Sequence, residues 1–487
     1  MRLPSPLRVS SDRHLLRWLA VGVLVLAALN LTFRLTSELV TEWDEALYAL
    51  SAWEMVKSGQ WIATTFDGAL DYYNTKPPLH IWLIALSFKA FGPSLLSLRL
   101  VSVVSAWLTV AVLQWWVRRI VGPATAIAAS LVLTTTFAFL YVHAGRSGNP
   151  DALLTLLVLL IVVTLWAGQR HPWRRVWLGP LLAGVFLLKG MAVLMPLAIV
   201  LAFEAWSAVK RDARMAVRPL AVALVLMVVP CGLWAWRRWH LDEWLFLERL
   251  FSYDFIGSVF TVLEKHSHPA WFYLGVLQRD QFTWIVVGVV ALAVSPLPWR
   301  ALWARITAWR RHDRTAVLLG IWAGATFLIP TLMQTKLPWY LNPFYPAFGV
   351  GLGWLLTRAF DALHVSRRRW QMVTLGAAVA IAVVVAEGRL VWYSFHVRDL
   401  QQSSQGVLMA VREQVAGRLV YRANWERGDL AVARIFLEVE PRTIETVEDF
   451  RRDGGPGDYL LWHESLADSD LTLVTTAHGF RLYRRPE

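Results

Sequence analysis

Apolar runs of about 20 residues recur along the chain, at 14–36, 96–117, 123–142, 150–168, 216–238, 280–298, 314–333, 338–358 and 371–392. Each is long enough to cross a hydrocarbon core about 30 Å thick, so each predicts a membrane-spanning helix. The region 175–206 exceeds one span, and Lys189-Gly190 at its middle predicts a tight hairpin of two. Pro77–Phe91 is shorter, follows a Pro-Pro pair, contains Lys89 and ends at Gly92-Pro93, which predicts an interfacial or re-entrant helix. The expected total is about 11 spans. Between the first two lies a polar loop, 37–95, far longer than an ordinary connection, and long ordered loops tend to carry function. Past residue 395 the pattern changes: VLMAVREQVAG has a helical period, whereas GRLVYRA, GDYLLWH and LTLVTTA read as strands. The chain therefore divides into a membrane domain, 1–394, and a small α/β soluble domain, 395–487. No repeat of 20 to 50 residues is visible.

Composition supports a polytopic membrane protein: of 487 residues 56% are hydrophobic and 17% charged, more apolar side chain than a soluble core needs. Many of the 28 tryptophans sit at the ends of apolar runs, where amphipathic rings settle at the headgroup level. The formal charge of +13 comes as short clusters between spans, at Arg2 to Arg17, Arg118-Arg119, Arg170 to Arg175, Lys210 to Arg218, Arg300 to Arg314 and Arg367 to Arg369. That is the positive-inside pattern and argues against nucleic acid. Placing every cluster in the cytoplasm requires Pro77–Phe91 not to span. The N-terminus is then inside and the C-terminal domain outside. The basic start before a long apolar run, with no small-residue cleavage site, reads as an uncleaved first span. The single cysteine, Cys231, allows no internal disulfide. The same topology puts every loop with unusual polar residues on one outer face: 37–95, 143–150, the turn at Lys189, 239–279 and 334–338.

Candidate chemistry lies in those loops. Asp44 and Glu45 stand just past the first span, with Tyr48 at i+4 from Asp44; Thr41 and Asp44 also fit a capping box that merely closes a helix. Lys76, near Tyr73, is held on extended backbone by Pro77; a snorkelling lysine is the plain alternative, and a contact to a lipid phosphate the functional one. Arg146 and Asp151 flank a span start, where Asp151 also suits the helix dipole. Lys189 has no acid nearby in sequence, and an intramembrane cation is by default functional. Lys336, Tyr340 and His268 complete the set. His266 and His268 beside Glu264 form the only metal-like grouping, but lone loop pairs are usually solvated and no metal is assigned.

In order, W-D-E-A-L-Y, S-G-Q-W, D-Y-Y-N-T-K-P-P-L-H-I-W-L, R-S-G-N-P-D, L-L-K-G and T-K-L-P-W-Y resemble the membrane glycosyltransferases of the C-type fold, nearest the aminoarabinose transferases that modify lipid A and the protein O-mannosyltransferases. The similarity runs over about residues 14–360. It implies a fold of about 11 to 13 transmembrane helices with interfacial helices in the first outer loop. It also implies an inner-membrane enzyme that moves a sugar from a polyprenyl-phosphate carrier to a lipid or envelope-glycan acceptor at the periplasmic face, a lipid A-like acceptor being favoured over protein. By position, Asp44 matches the acid of the first-loop motif and Asp151 the second acid, while Lys76 and Tyr73 match contacts to the carrier phosphate. Lys189 and Lys336 match further family positions. Some members carry an acid just before Lys-Pro-Pro and a histidine in the later outer loop, where a metal sits; here Thr75 and the stretch Leu247-Glu248-Arg249 stand there. The reading from a different class is a lipid or polyprenyl-linked sugar transporter or flippase. Such folds tend to show repeats and midplane polar residues, which this chain lacks.

Overall fold

The computed structural model describes residues 13–41, 43–209, 217–257, 260–262, 266–296, 313–466, 470–477 and 479–486. Glu264, Lys265 and most of the basic clusters near 210 and 300 lie outside them.

The helices are α1 (Arg13–Thr32), α2 (Asp44–Ser58), α3 (Leu79–Phe91), α4 (Leu95–Ile120), α5 (Pro123–Thr134), α6 (Phe137–Tyr141), α7 (Asp151–Gly168), α8 (Leu178–Lys189), α9 (Leu194–Val209), α10 (Val217–Asp242), α11 (Leu245–Arg249), α12 (Phe272–Val294), α13 (Arg314–Leu332), α14 (Tyr345–Val365) and α15 (Arg369–His396). Among the described residues, eight stretches are long and apolar enough to cross a membrane. One of them, Pro172–Val209, contains both α8 and α9. The chain reverses inside it, because Arg175 before α8 donates to Glu204 late in α9 at 2.7 Å. A continuous helix would hold those residues some 40 Å apart at 1.5 Å per residue. Gly190 makes the reversal at φ 51°, and a Cβ there would meet Leu250 Cδ1 at 2.9 Å.

Two expected spans fall short of the strict length and composition. The run 123–142 breaks into α5 and α6 at Thr135-Thr136, and α14, which follows a 3-10 turn at Pro338–Phe344, carries Arg358 and Asp361. These two regions nevertheless pack closely. Gly349 and Gly353, four apart on α14, bring its backbone onto α5, where added Cβ atoms would lie 2.8 Å from Ala129 O and 2.7 Å from Ala129 N. Between helices in lipid, this close approach of small residues supplies the contact that a hydrophobic driving force cannot. Pro77–Phe91 forms the short apolar helix α3, as its length predicts.

The long loop folds around α2 and a hairpin, β1 (Thr65–Phe66) with β2 (Ala69–Leu70), turned by Asp67 and Gly68 at positive φ. The C-terminal part carries α16 (Ser404–Ala410), α17 (Arg427–Ala431) and α18 (Val447–Asp453). Its five-stranded sheet has β3 (Leu419–Arg422), β4 (Glu440–Thr443), β5 (Tyr459–Trp462), β6 (Thr472–Ala477) and β7 (Phe480–Arg484) in the order β4-β3-β5-β7-β6. β3 is parallel to β4 and β5, and the β5-β7-β6 side is antiparallel. Its core is continuous with the long loop: Val407, Leu408, Val432 and Phe436 share one buried cluster with Ala46, Leu50, Ile84 and Phe88.

Replacing Gly353 with leucine should force α14 from α5 and cost about 1–3 kcal/mol. A thermal melt of the detergent-solubilised protein checks this, and an unchanged midpoint would contradict the packing.

Candidate active site

Two carboxylates and three arginines, all nearly or wholly buried, shape the start of the long loop. Glu45 accepts from Arg99 Nε at 2.8 Å, from Gly148 N at 2.8 Å and from the backbone and hydroxyl of Thr41 at 2.8 Å each. Arg99 Nη2 also reaches the second Glu45 oxygen at 3.4 Å, and the two Nη groups donate to the carbonyls of Leu35, Glu38 and Leu39. Arg146 pairs with Glu38 and also donates to the carbonyls of Asn30 and Phe33. Arg398 lies 3.7 Å from Glu38 and 3.8 Å from Glu45. The partner of Thr41 is thus Glu45, and Asp44, the first residue of α2, is left without a capping role.

Asp44 faces the opposite way from this frame, toward the cations of the site. Its Oδ2 is 3.8 Å from His143 Nδ1, and His143 stacks on Trp339 with centroids 3.7 Å apart. Burial works to raise the Asp44 pKa, but Lys76, His143, Lys189 and Arg427 outweigh it and hold the carboxyl below its usual range. Burial lowers the pKa of His143, keeping the imidazole neutral near pH 7.

Beside Asp44 is a cavity of about 350 Å³. One end carries Lys76, Lys189, Asp151, Asp254 and Tyr340; its walls include Leu154, Met191, Leu194, Met195, Ile329 and Leu332. Lys189 donates to Asp151 at 2.6 Å and lies over the Tyr340 ring, 5.6 Å from its centroid. The acid that sequence proximity does not supply is therefore at the start of α7, brought in by the hairpin. At Lys76 burial disfavours the charge, yet Tyr48, Asp44, Asp254 and Tyr340 raise its pKa well above the ordinary lysine value. Tyr48 is buried edge-on to His80, and its hydroxyl has no hydrogen-bond partner among the described residues.

The five loops expected on one face do meet. Asp44 reaches His143, Lys76 and Lys189 line one cavity, and Lys336 N donates to His266 O at 3.1 Å. Five expected site residues have other surroundings. Glu45 and Arg146 are committed to the buried frame; Lys336 Nζ turns to the carbonyl of Met333. Tyr73 lies outside the cavity against Trp43, and His268 stacks on Phe272 at 4.1 Å. Among the described residues no three His, Cys, Asp or Glu side chains gather as a metal site. Asp254 and His143 carried no motif signal. Asp254 sits in a π-helical turn, Leu250–Gly257, and accepts from the hydroxyl of Thr75 at 2.7 Å. Thr75 thus borrows from a distant loop the carboxylate that its own position lacks. Burial raises the Asp254 pKa against the pull of Lys76, Thr75 and Lys189.

Residues 75–234 match the family described as dolichyl-phosphate-mannose-protein mannosyltransferase. The chain is 31% identical over 358 residues to an undecaprenyl phosphate-alpha-4-amino-4-deoxy-L-arabinose arabinosyl transferase of Pseudomonas paraeruginosa, covering 70% of this chain and 60% of the relative. It is 30% identical over 398 residues to one from Pseudomonas fluorescens, covering 78% of this chain and 63% of that relative. The chain thus matches less than two thirds of the length of these curated relatives. In three dimensions it matches ArnT from Cupriavidus metallidurans bound to undecaprenyl phosphate, with TM-score 0.69, 16% identity and coverage of 97% of this chain and 98% of that one. It also matches the Archaeoglobus fulgidus oligosaccharyltransferase in the apo form, with TM-score 0.58, 13% identity and coverage of 88% and 64% respectively. The fold is the C-type glycosyltransferase fold.

The frame gives a prediction for Glu45. Its folded pKa is about 2 against an ordinary 4.5, so its contribution is fully present above about pH 4.5 and is lost as pH falls toward 2. Glu45→Gln leaves Arg99 buried beside a neutral partner and should cost roughly 3–5 kcal/mol at neutral pH, with the gap to wild type narrowing as pH drops through that window. Melting curves across pH check it; equal midpoints at pH 7 would remove Glu45 from the frame.

Proposed function

We propose that this chain, a relative of the polyprenyl-phosphate-sugar glycosyltransferases with the C-type fold, transfers a sugar from an undecaprenyl-phosphate-type carrier to a phosphate-bearing lipid acceptor of the lipid A kind. The observation that carries the reading is the cavity that joins two lysines to an apolar wall, complementary at once to a carrier's phosphate and to its first isoprene units. In the transfer, the acceptor oxygen forms the new bond to the anomeric carbon while the bond from that carbon to the carrier's phosphate oxygen breaks, its electron pair leaving with the phosphate. Lys76 and Lys189 stand where that negative charge grows, and fixed cations in a water-poor site need no reorganisation to meet it. Asp151 holds Lys189 in place. Asp44, with a depressed pKa, is a poor proton acceptor; a fixed carboxylate beside an oxocarbenium-like anomeric carbon is the role its ionised state suits. An acceptor phosphate needs no deprotonation, which agrees with that assignment.

Orientation follows the same logic. Helices α4, α7 and α14 start near the site and run toward Arg118-Arg119, Arg170 to Arg175 and Arg367 to Arg369, so the site and these clusters occupy opposite ends of the bundle. The positive-inside rule then supports a bacterial inner-membrane protein with its N-terminus in the cytoplasm and with the site and a C-terminal domain, 395–487, on the periplasmic side.

Asp44→Asn should lower transfer on the order of a hundredfold or more while undecaprenyl phosphate still binds, whereas Lys76→Met should weaken that binding at least about tenfold. Radiolabelled transfer and titration of the purified protein read the two; an Asp44→Asn enzyme with normal turnover would sink the assignment. Carrier binding should also tighten as pH falls through the raised Asp254 pKa, since a protonated carboxyl repels no phosphate, with Asp44, Asp151, Lys76, Lys189 and Tyr340 as the other groups facing it. In Asp254→Asn that slope should flatten, and an unaltered pH profile would count against Asp254 facing the phosphate.

A further inference from the structure

The C-terminal part adds one side chain to the margin of the site. Arg427, in the first turn of α17, lays its guanidinium over two aromatic rings of the long loop, with Cζ 4.2 Å from the Trp43 centroid and 5.0 Å from that of Tyr73. The two rings, 6.2 Å apart, are large aromatics left open to solvent, 57% exposed at Trp43 and 49% at Tyr73. Trp43 immediately precedes Asp44, and Tyr73 lies three residues before Lys76. The platform therefore borders the reaction centre from outside the lysine cavity, whose lining includes none of its three residues.

Two features separate this cluster from ordinary surface packing. Trp43 is held at φ 67°, a conformation a bulky residue adopts only when its surroundings impose it, at a cost of about 1–3 kcal/mol. The buried, hydrogen-bonded frame around Glu45 lies two residues on and fixes the backbone there. The second feature is the arginine. Among the described residues no carboxylate pairs with Arg427, and its Nη1 is buried without a hydrogen-bond partner. The other arginines near the loop's start, Arg34, Arg99, Arg146 and Arg398, all have carboxylates.

Stacking uses the faces of a guanidinium and leaves its N–H edge free, and that planar fork matches a phosphate with two parallel hydrogen bonds. Its proximity is felt at Asp44, whose carboxyl it helps to keep ionised. We propose that Arg427, stacked on Trp43 and Tyr73, is an acceptor-side anion site that takes a phosphomonoester of the acceptor and presents it beside Asp44. The proposal rests on the glycosyltransferase reading and deepens it. It gives the C-terminal part a direct share in substrate choice, and divides the anions of the reaction between Lys76 and Lys189 on the carrier side and Arg427 on the acceptor side.

The test uses the full chain in detergent and three lipids: lipid A with its phosphates, the same lipid after phosphatase treatment, and undecaprenyl phosphate, each titrated by native mass spectrometry. The wild type should prefer phosphorylated over dephosphorylated lipid A by on the order of tenfold, the scale of one charge-assisted contact. Arg427→Ala should erase that preference, Arg427→Lys should restore only part of it, and both should bind undecaprenyl phosphate as the wild type does. A preference that survives in Arg427→Ala, or a wild type that binds the two forms of lipid A alike, would overturn the proposal. So would Arg427→Ala weakening undecaprenyl phosphate instead, which would move Arg427 to the carrier side. A wild type that fails to bind undecaprenyl phosphate at all would sink the underlying glycosyltransferase reading, and that result is read in a separate arm.

Discussion

Arg99 is fully buried near the start of α4, and a guanidinium there without a carboxylate would cost several kcal/mol. Glu45 meets that demand, and in doing so it gathers Thr41, Gly148 and the chain that leaves α1 around one point. Glu38 does the same for Arg146, and Arg398 bridges both acids. The consequence reaches the chemistry through connectivity alone. Asp44 precedes Glu45 by one residue, so fixing Glu45 inward turns Asp44 toward His143 and the lysine cavity. Trp43, one residue earlier, is pinned in a strained conformation at the margin.

The cavity itself is built on an uneven charge count. Lys76 and Lys189 are matched against Asp151 and Asp254, with Asp44 close by, so under the proposed function an arriving phosphate would find cations that are held in place rather than surplus positive charge. Such pairing keeps flexible lysine stems from wandering, and in the proposed transfer it would preorganise them for charge that develops only during the reaction. It also makes the protonation of Asp254 part of the balance. The apolar residues of the wall, from α7, α9 and α13, lie in stretches long and apolar enough for the bilayer, so the wall offers the proposed carrier chain an apolar path.

Much of this was legible in the residues. The periodicity of apolar runs anticipated the helices, including the reversal at Gly190, and the sorting of polar loops away from basic clusters anticipated that Asp44, Lys76, Asp151 and Lys189 would converge. What stayed hidden was partner choice. Adjacent acids at 44 and 45 read alike in sequence, yet one serves an arginine 54 positions away and the other faces the site. Arg146 read as a candidate site residue for the same reason, its partner Glu38 lying 108 positions back. Asp254 was silent because a lone acid in a loop of mixed composition has no period or motif. Only the fold, by bringing it to the hydroxyl of Thr75, gives it a role. Lys76 does line the cavity, at the entry to α3 that the Pro77-Pro78 pair marks in sequence.

The central claim is that the lysine cavity receives the carrier phosphate. An experimental structure of the protein with undecaprenyl phosphate tests it most directly. The account predicts the phosphate within about 4 Å of the ammonium groups of Lys76 and Lys189, with the isoprenoid running along Leu154, Met195 and Leu332. A phosphate bound at Arg427 or elsewhere, with the lysine cavity empty, would contradict it.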